Sequence, residues 1–253
     1  TFEQGSRLRI MGKYAFFSCS NLRAITLLAT VQKLGESCFE ECELLTSVTF
    51  EPNSQLQKIG GDAFVSSSIQ SILIPVSVQV LGEGCFRSCA LLAEVAFEDN
   101  SRLTRMKAYT FIESGIRSIL IPASVEVLGE ECFGRCELLA EVTFKNDSQL
   151  ATVENSAFEG CRSLRSMCIP RSVEVLWDGC FQECASLTSV TFEQGSRLRI
   201  IGAKAFFSCL SLRAIVLEEA PRLQEVGEDA FCDSGIQISD LPMSLRMLYA
   251  PGF

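Results

Sequence analysis

One repeated pattern runs through this chain and restricts it to a stacked architecture. An anchor phenylalanine returns every 22 to 25 residues, and residues 1–10 recur unchanged at 191–200. The ten anchors are Phe16, Phe39, Phe64, Phe86, Phe111, Phe133, Phe158, Phe181, Phe206 and Phe231. A unit this short cannot bury its own apolar face, so neighbouring units must stack on one another. The sequence therefore predicts a solenoid.

Each unit divides into three parts. The first is a strand in which apolar residues alternate with polar ones, as at Leu45, Val48 and Phe50, so that the apolar set points inward. The second is a short apolar segment followed by glycine, as at 56–60. This glycine predicts either a positive φ or a close approach of neighbouring backbones. The third is the anchor turn [AC]-F-x-x-[CS], which we predict to be a single helical or 3₁₀ turn.

Two loop types alternate between the first and second parts of successive units. The short loop reads I-P-x-S-V and contains Pro75, Pro122 or Pro170. The long loop reads F-[EK]-x-x-S-[QR]-L and occupies residues 50–56, 97–103, 144–150 and 192–198. In addition, the path to the next strand is one residue shorter where the anchor turn ends in serine, at Ser67, Ser114 and Ser234. Pairs of units are therefore expected to repeat together.

The composition excludes several classes of function. Histidine is absent, which removes Ser-His-Asp and Cys-His catalysis and imidazole metal sites. A net charge of −9 argues against a nucleic-acid partner, which would require a basic face. No apolar run approaches the roughly 18 to 20 residues that cross a bilayer, so we expect no membrane insertion within this segment. We predict a protein that is not an enzyme and has no cofactor or metal ion.

The 13 cysteines follow the repeat. Seven end an anchor turn: Cys19, Cys42, Cys89, Cys136, Cys161, Cys184 and Cys209. Four more precede the anchor phenylalanine and give C-F-x-x-C, as at 38–42. A position that recurs in step with the repeat is typical of packing, so we predict buried structural thiols. Disulfides between neighbouring units and a metal site remain the alternatives.

The outward positions of the strands form the face that we predict to be concave. It is rich in small and hydroxyl side chains, with apolar residues on alternate units. The candidate partner-binding residues are Thr49, Leu73, Glu94, Leu120, Glu141, Thr143, Thr191 and Val216. Leu73 and Leu120 are the best anchors for a protein ligand. The alternative is that strand propensity alone accounts for the Ser, Thr and Val at these positions.

At IQSILIPVSVQVLGEGCFRSC (69–89) and IRSILIPASVEVLGEECFGRC (116–136), the chain resembles the BspA-like family of leucine-rich repeats. The resemblance implies a β-rich (α/β-type) right-handed solenoid, a horseshoe or rod with a parallel β-sheet and short helical or 3₁₀ turns. Members are typically surface proteins of mucosal bacteria and of parasitic protists such as trichomonads. They are implicated in adhesion to host cells, matrix proteins or other microbes.

We accordingly expect one solenoid of about ten units over residues 1–253, located on the cell surface or secreted, with a host cell-surface or extracellular-matrix protein as ligand. The alternative is a cytoplasmic scaffold for protein–protein interaction, which free thiols favour. The chain starts in mid-repeat, and the tail LPMSLRMLYAPGF is at best a degenerate unit. We therefore expect an excerpt of a longer array, or else end-to-end self-association through an uncapped end.

Overall fold

The computed structural model describes residue 2 and residues 5–217 and 222–249. The chain winds into a solenoid whose strands are all parallel to their neighbours, as the leucine-rich repeat pattern predicts. One turn of the solenoid, called a rung here, contains a long strand, a loop, a short strand and an anchor turn. Each rung contacts the rungs before and after it, so the core is a continuous column along the solenoid.

The long strands show the predicted alternation, because Ile72 and Ile119 are buried while Ser71 and Ser118 are exposed. Their bounds are β2 (Ala24–Leu27), β4 (Ser47–Phe50), β6 (Ser71–Ile74), β8 (Glu94–Phe97), β10 (Ser118–Ile121), β12 (Glu141–Phe144), β14 (Ser166–Ile169), β16 (Ser189–Phe192) and β18 (Ala214–Val216). They form a six-stranded sheet, β12-β10-β8-β6-β4-β2, and a three-stranded sheet, β14-β16-β18.

The short strands form a separate sheet that runs without interruption through ten rungs. They are β1 (Ile10–Met11), β3 (Lys33–Leu34), β5 (Lys58–Ile59), β7 (Val80–Leu81), β9 (Arg105–Met106), β11 (Val127–Leu128), β13 (Thr152–Val153), β15 (Val175–Leu176), β17 (Ile200–Ile201) and β19 (Glu225–Val226). In each of these two-residue strands the second residue points to the core, as Leu34 and Leu81 do, and the first residue faces outward.

Proline makes the pairing of the long strands alternate. Strand β6 pairs with β8 along its whole length but with β4 only through Ser71 and Ser47. The residue after β8, Glu98, donates its N–H to the Ile74 carbonyl at 3.0 Å. The residue after β6 is Pro75, which has no N–H to donate to the preceding rung. The two loop types predicted from the sequence therefore appear as strong and weak pairing in the sheet.

The anchor phenylalanines form the predicted spine. Their rings are stacked from Phe16 to Phe231, with neighbouring centroids 5.1 to 5.4 Å apart. Offset stacking at this separation is favourable for aromatic rings and adds to the burial of their area. The spine continues past the break between the two long-strand sheets, because Phe158 and Phe181 are stacked at 5.3 Å.

The anchor turn is not helical, and the prediction of a helical or 3₁₀ turn was wrong. Each anchor turn has two residues with positive φ, four positions apart, such as Ser37 at 53° and Glu41 at 57°. The N–H groups of Ser37, Phe39 and Glu41 donate to carbonyls of the next rung at 2.7 to 2.9 Å. A helix would direct these groups along its own axis, whereas here they join the rungs, and the N–H groups of Glu40 and Cys42 bond within the turn at 3.4 and 3.3 Å.

The glycine after the short strand serves close packing. Gly35 has no positive φ, but a Cβ there would lie 2.5 Å from the carbonyl carbon of Gly12 in the preceding rung. Gly60 approaches Gly35 in the same way. Of the two explanations that the sequence offered, the close approach of neighbouring backbones is therefore the correct one.

The described part of the tail, up to residue 249, is helical and does not repeat the strand pattern of the rungs. A 3₁₀ turn (Ile238–Asp240) is followed by helix α1 (Met243–Leu248). Leu241 and Leu245 are buried, and the Tyr249 ring packs edge-on against Phe231 at 5.3 Å. The segment therefore covers the apolar end of the phenylalanine spine.

Candidate functional site

The outward side chains of the long strands form one continuous surface, called the long-strand face below. All of the predicted partner-binding residues lie on it. Thr49, Leu73, Glu94, Leu120, Glu141, Thr143 and Val216 are exposed, and Thr191 is half-buried. Leu73 and Leu120 are 51% and 46% exposed, whereas the inward residues next to them, Ile72, Ile74, Ile119 and Ile121, are buried. Their role in binding stays a prediction.

A cavity of about 390 Å³ lies near the middle of the long-strand face. It brings together four of the predicted residues, Glu94, Leu120, Glu141 and Thr143. The other four, Thr49, Leu73, Thr191 and Val216, lie elsewhere on the face. The cavity thus contains half of the predicted residues, and the binding role of all eight stays a prediction.

The cavity has two carboxylates on either side of a hydroxyl group. Ser118 is in register with Glu94 on one neighbouring strand and with Glu141 on the other. Strands lie about 4.8 Å apart, so the backbones that carry the two glutamates are separated by roughly 10 Å. Leu120, in register with Thr143, supplies the apolar part of the same cavity. The arrangement offers a cationic group two acceptors and places an apolar contact beside them.

Among the cavity residues that sequence reasoning did not select, two are charged, Asp99 and Lys145. The Lys145 Nζ lies 2.9 Å from Asp99 Oδ1, although the two residues are 46 positions apart in the chain. The hydrogen bond and charge of Lys145 hold the pKa of the Asp99 carboxyl below its usual value. Because Asp99 is 92% exposed, we expect this ion pair to contribute little to stability. The ion pair places one positive and one negative charge next to each other in the lining of the cavity.

A signal for Lys145 is present in the sequence. Three of the four long loops begin with Phe followed by glutamate, at Glu51, Glu98 and Glu193, and lysine replaces glutamate in the loop at 144–150. The three glutamates accept the backbone N–H of the preceding rung at 2.8 to 2.9 Å. A lysine cannot accept this bond, so Lys145 is free to reach across two rungs.

The cysteines at the ends of the anchor turns have a common hydrogen-bonding role. The thiols of Cys42, Cys89, Cys136, Cys161, Cys184 and Cys209 donate to the anchor phenylalanine carbonyl of the preceding rung at 3.0 to 3.2 Å. Burial raises the pKa of Cys136 to about 11 and that of Cys209 to about 12. Thiolate is the nucleophilic and metal-binding form, so these groups are suited to structure. Their burial supports the predicted packing role.

Neither a metal-binding group of side chains nor a membrane-spanning helix is found in the described part of the chain. Among residues 2, 5–217 and 222–249, no group of three or more Cys, Asp or Glu side chains is placed to hold a metal ion. In the same residues, no helix has the length and apolar character required to cross a membrane.

A stack of parallel rungs with period-two strands and a phenylalanine spine defines a leucine-rich repeat solenoid. The family described as "BspA type Leucine rich repeat region (6 copies)" matches residues 9–140 and 104–237. The chain therefore belongs to the BspA-type leucine-rich repeat family, in agreement with the resemblance found in its sequence. Families of this kind are repeat modules that offer extended surfaces for binding proteins.

Several bacterial proteins of known structure are similar to this chain. A leucine-rich cell surface protein from Faecalibacterium prausnitzii is 22% identical, with a TM-score of 0.48, over 92% of this chain and 76% of that one. The pneumococcal vaccine antigen PcpA is 15% identical, with a TM-score of 0.43, over 99% and 84%. A leucine-rich repeat protein from Bacteroides ovatus is 22% identical, with a TM-score of 0.36, over 89% and 80%. No curated protein matches this chain.

Proposed function

We propose that this chain is a non-catalytic module that binds a protein through the long-strand face, and that it acts at the cell surface in adhesion to a host or matrix protein. The observation that carries the proposal is the cavity at Glu94, Leu120 and Glu141, next to the exposed Leu73 on the same face. Membership of the BspA-type family supports the surface role.

The chemistry of the cavity indicates the kind of protein segment that would fit. Exposed leucines on an otherwise small and polar sheet supply apolar contacts of the type that anchor protein interfaces. The Glu94 and Glu141 carboxylates beside Leu120 favour a lysine or arginine of the partner. We therefore propose a partner segment in which a basic side chain is flanked by apolar ones.

The test uses the chain labelled with a fluorophore and applied to immobilised fibronectin, laminin and collagen and to cultured epithelial cells. A double variant, Leu73→Glu with Leu120→Glu, is expected to weaken binding by about tenfold or more, because each substitution places a charge in an apolar contact. The matched control is Met243→Glu with Met247→Glu, since both methionines are exposed on α1, at the end of the solenoid. Unchanged binding by a folded Leu73/Leu120 variant would contradict the proposed face.

A second candidate function is that of an intracellular scaffold on the same solenoid. The buried, protonated thiols favour it, because unpaired cysteines persist most readily in a reducing compartment. An antibody to this chain, applied to intact and to permeabilised cells of the source organism, separates the two. Labelling of intact cells supports the surface role, and labelling only after permeabilisation supports the scaffold. End-to-end self-association stays a prediction, and α1 covers one of the two ends.

A further inference from the structure

The outward positions of the short strands form a second surface with an uneven distribution of charge. Over the first five short strands, β1 to β9, these positions and the residues just before them include Arg9, Lys33, Lys58 and Arg105 and no carboxylate. Over the last five, β11 to β19, they include Glu126, Glu174 and Glu225, with Arg199 as the one cation among these described positions. A chain of net charge −9 thus has a cationic stretch on half of one face.

Three of these cations lie in a single column along the solenoid. Lys33 is in register with Lys58, Lys58 with Val80, and Val80 with Arg105. At about 4.8 Å per strand, the column extends over roughly 14 Å. All three cations are exposed, and none forms an ion pair with a described residue. Like charges directly opposite each other on a sheet are destabilising, so folding alone does not account for this column.

A cavity of about 440 Å³ runs beside the column and extends the cationic surface. Lys33, Lys58 and Lys107 line it, and its floor contains Gly60, Gly61 and Gly82, which have no side chains to block a ligand.

Three carboxylates, Glu36, Asp62 and Glu83, also line this cavity. Glu36 pairs with Lys13 at 2.7 Å and Asp62 with Arg87 at 3.1 Å, so two of the three are neutralised by cations of their own. The net charge presented by the cavity and the column together is therefore positive.

We propose that the short-strand face binds a linear sulfated polysaccharide through Lys33, Lys58 and Arg105, with the polymer lying along the solenoid axis. Charges that repeat along a straight line at the spacing of the rungs complement a linear polyanion. The proposal is independent of the protein-binding role of the long-strand face, because it uses the other sheet.

Other polyanions fit this surface less well. Single-stranded nucleic acids need aromatic side chains on which bases stack, and none is among the described residues that form the column or line the cavity. A membrane surface needs large apolar side chains that enter the lipid, whereas the apolar members of this column are Ile10 and Val80, of which Val80 is half-buried.

The test measures binding of the full chain to immobilised heparin at increasing concentrations of NaCl. Counterion release makes affinity for a polyanion fall with salt in proportion to the number of contacts. The variant Lys33→Gln with Lys58→Gln is expected to bind heparin at least about tenfold more weakly and with a smaller salt dependence. The matched control is Arg162→Gln with Lys204→Gln, which changes the net charge equally on other faces and is expected to alter binding less than about twofold.

Binding measurements with other anionic polymers and surfaces test whether the sulfate groups are required. Hyaluronan, which is anionic but not sulfated, is expected to bind more weakly than heparin. Equal binding of hyaluronan, equal loss in the two double variants, or no loss in the Lys33/Lys58 variant would each overturn the proposal. It would also be overturned if single-stranded DNA or vesicles of anionic lipid bound more tightly than heparin and lost that binding in the Lys33/Lys58 variant.

Discussion

The rungs that contain β10 and β14 have the same I-P-x-S-V loop, yet they contact their preceding rungs differently. Strand β10 pairs with β8, and Ser124 Oγ lies 2.9 and 2.8 Å from the carbonyl oxygens of Ser101 and Leu103, which share its one proton. Among the described strands, β14 shares no register pair with its neighbour β12, and the buried Ser172 Oγ has no hydrogen-bond partner in the described part of the chain. The loop motif alone therefore does not determine how a rung is held.

The difference begins in the path that leads into each strand. Before β10 the anchor turn ends in Ser114-Gly115, and the Gly115 N–H donates to the Cys89 carbonyl at 3.1 Å. A Cβ at Gly115 would collide with the backbone of Ala90, so the two rungs are in close contact there. Before β14 the corresponding path is Cys161-Arg162-Ser163, one residue longer. The longer path by itself does not break the pairing, because β4, β8, β12 and β16 follow paths of the same length and pair fully with the strand before them. The pairing is lost at β14, where the longer path and the proline loop occur in the same rung.

The phenylalanine spine runs across the break in the long-strand sheet, and we expect it to compensate there for the missing strand pairing. Phe133 and Phe181 are the anchors of the two rungs, and both are fully buried and stacked on both sides. We expect Phe133→Ala and Phe181→Ala to lower the free energy of unfolding by about 3 to 5 kcal/mol each, through lost burial and a cavity.

Urea unfolding followed by circular dichroism measures both values. The control is Phe17→Ala, whose side chain is 43% exposed and lies outside the spine, and we expect a loss below about 1 kcal/mol. If Phe181→Ala costs much less than Phe133→Ala, the spine does not compensate for the missing strand pairing, and the two long-strand sheets behave as separate stacks.

The second prediction concerns the thiols, which are buried on both sides of the break. Burial raises the pKa of Cys136 from its usual 9.0 to about 11, and it also raises the pKa of Cys184. Between pH 9 and 11 the unfolded chain loses thiol protons that the folded chain keeps, so the free energy of unfolding falls as pH rises. A shift of one pKa unit corresponds to about 1.4 kcal/mol, so each such thiol has a measurable effect.

Denaturation by urea at pH 8, 9, 10 and 11 measures this slope. Cys136→Ala and Cys184→Ala are each expected to make it less steep, whereas Cys168→Ala, at an exposed position in β14, is expected to leave it unchanged. A slope that is the same in all three variants would mean that the buried thiols do not control the alkaline limit of stability.

Much of this molecule can be predicted from its sequence, because the dominant features are periodic. The spacing of the phenylalanines predicts the solenoid, and the alternation in the strands places Leu73 and Leu120 on an exposed face. The anchor turn could not be predicted, since ordinary residues such as Ser37 and Glu41 adopt the positive φ that hydrogen bonds between rungs require. The Asp99–Lys145 pair joins residues two rungs apart, and such a contact depends on the register of the stack.

Replacing the serine of the I-P-x-S-V loop by alanine should affect the stability of the two rungs differently. Ser124→Ala removes a hydroxyl whose one proton is shared between two backbone carbonyls, so we expect the free energy of unfolding to fall by about 1 to 2 kcal/mol. Ser172→Ala removes a buried hydroxyl that has no partner among the described residues, so we expect it to be neutral or to stabilise by up to about 1 kcal/mol. Thermal unfolding of the two variants beside the parent chain measures both shifts. A loss at Ser172 equal to that at Ser124 would mean that the hydroxyl is hydrogen-bonded after all, and that the rung of β14 is held to its neighbour as firmly as the rung of β10.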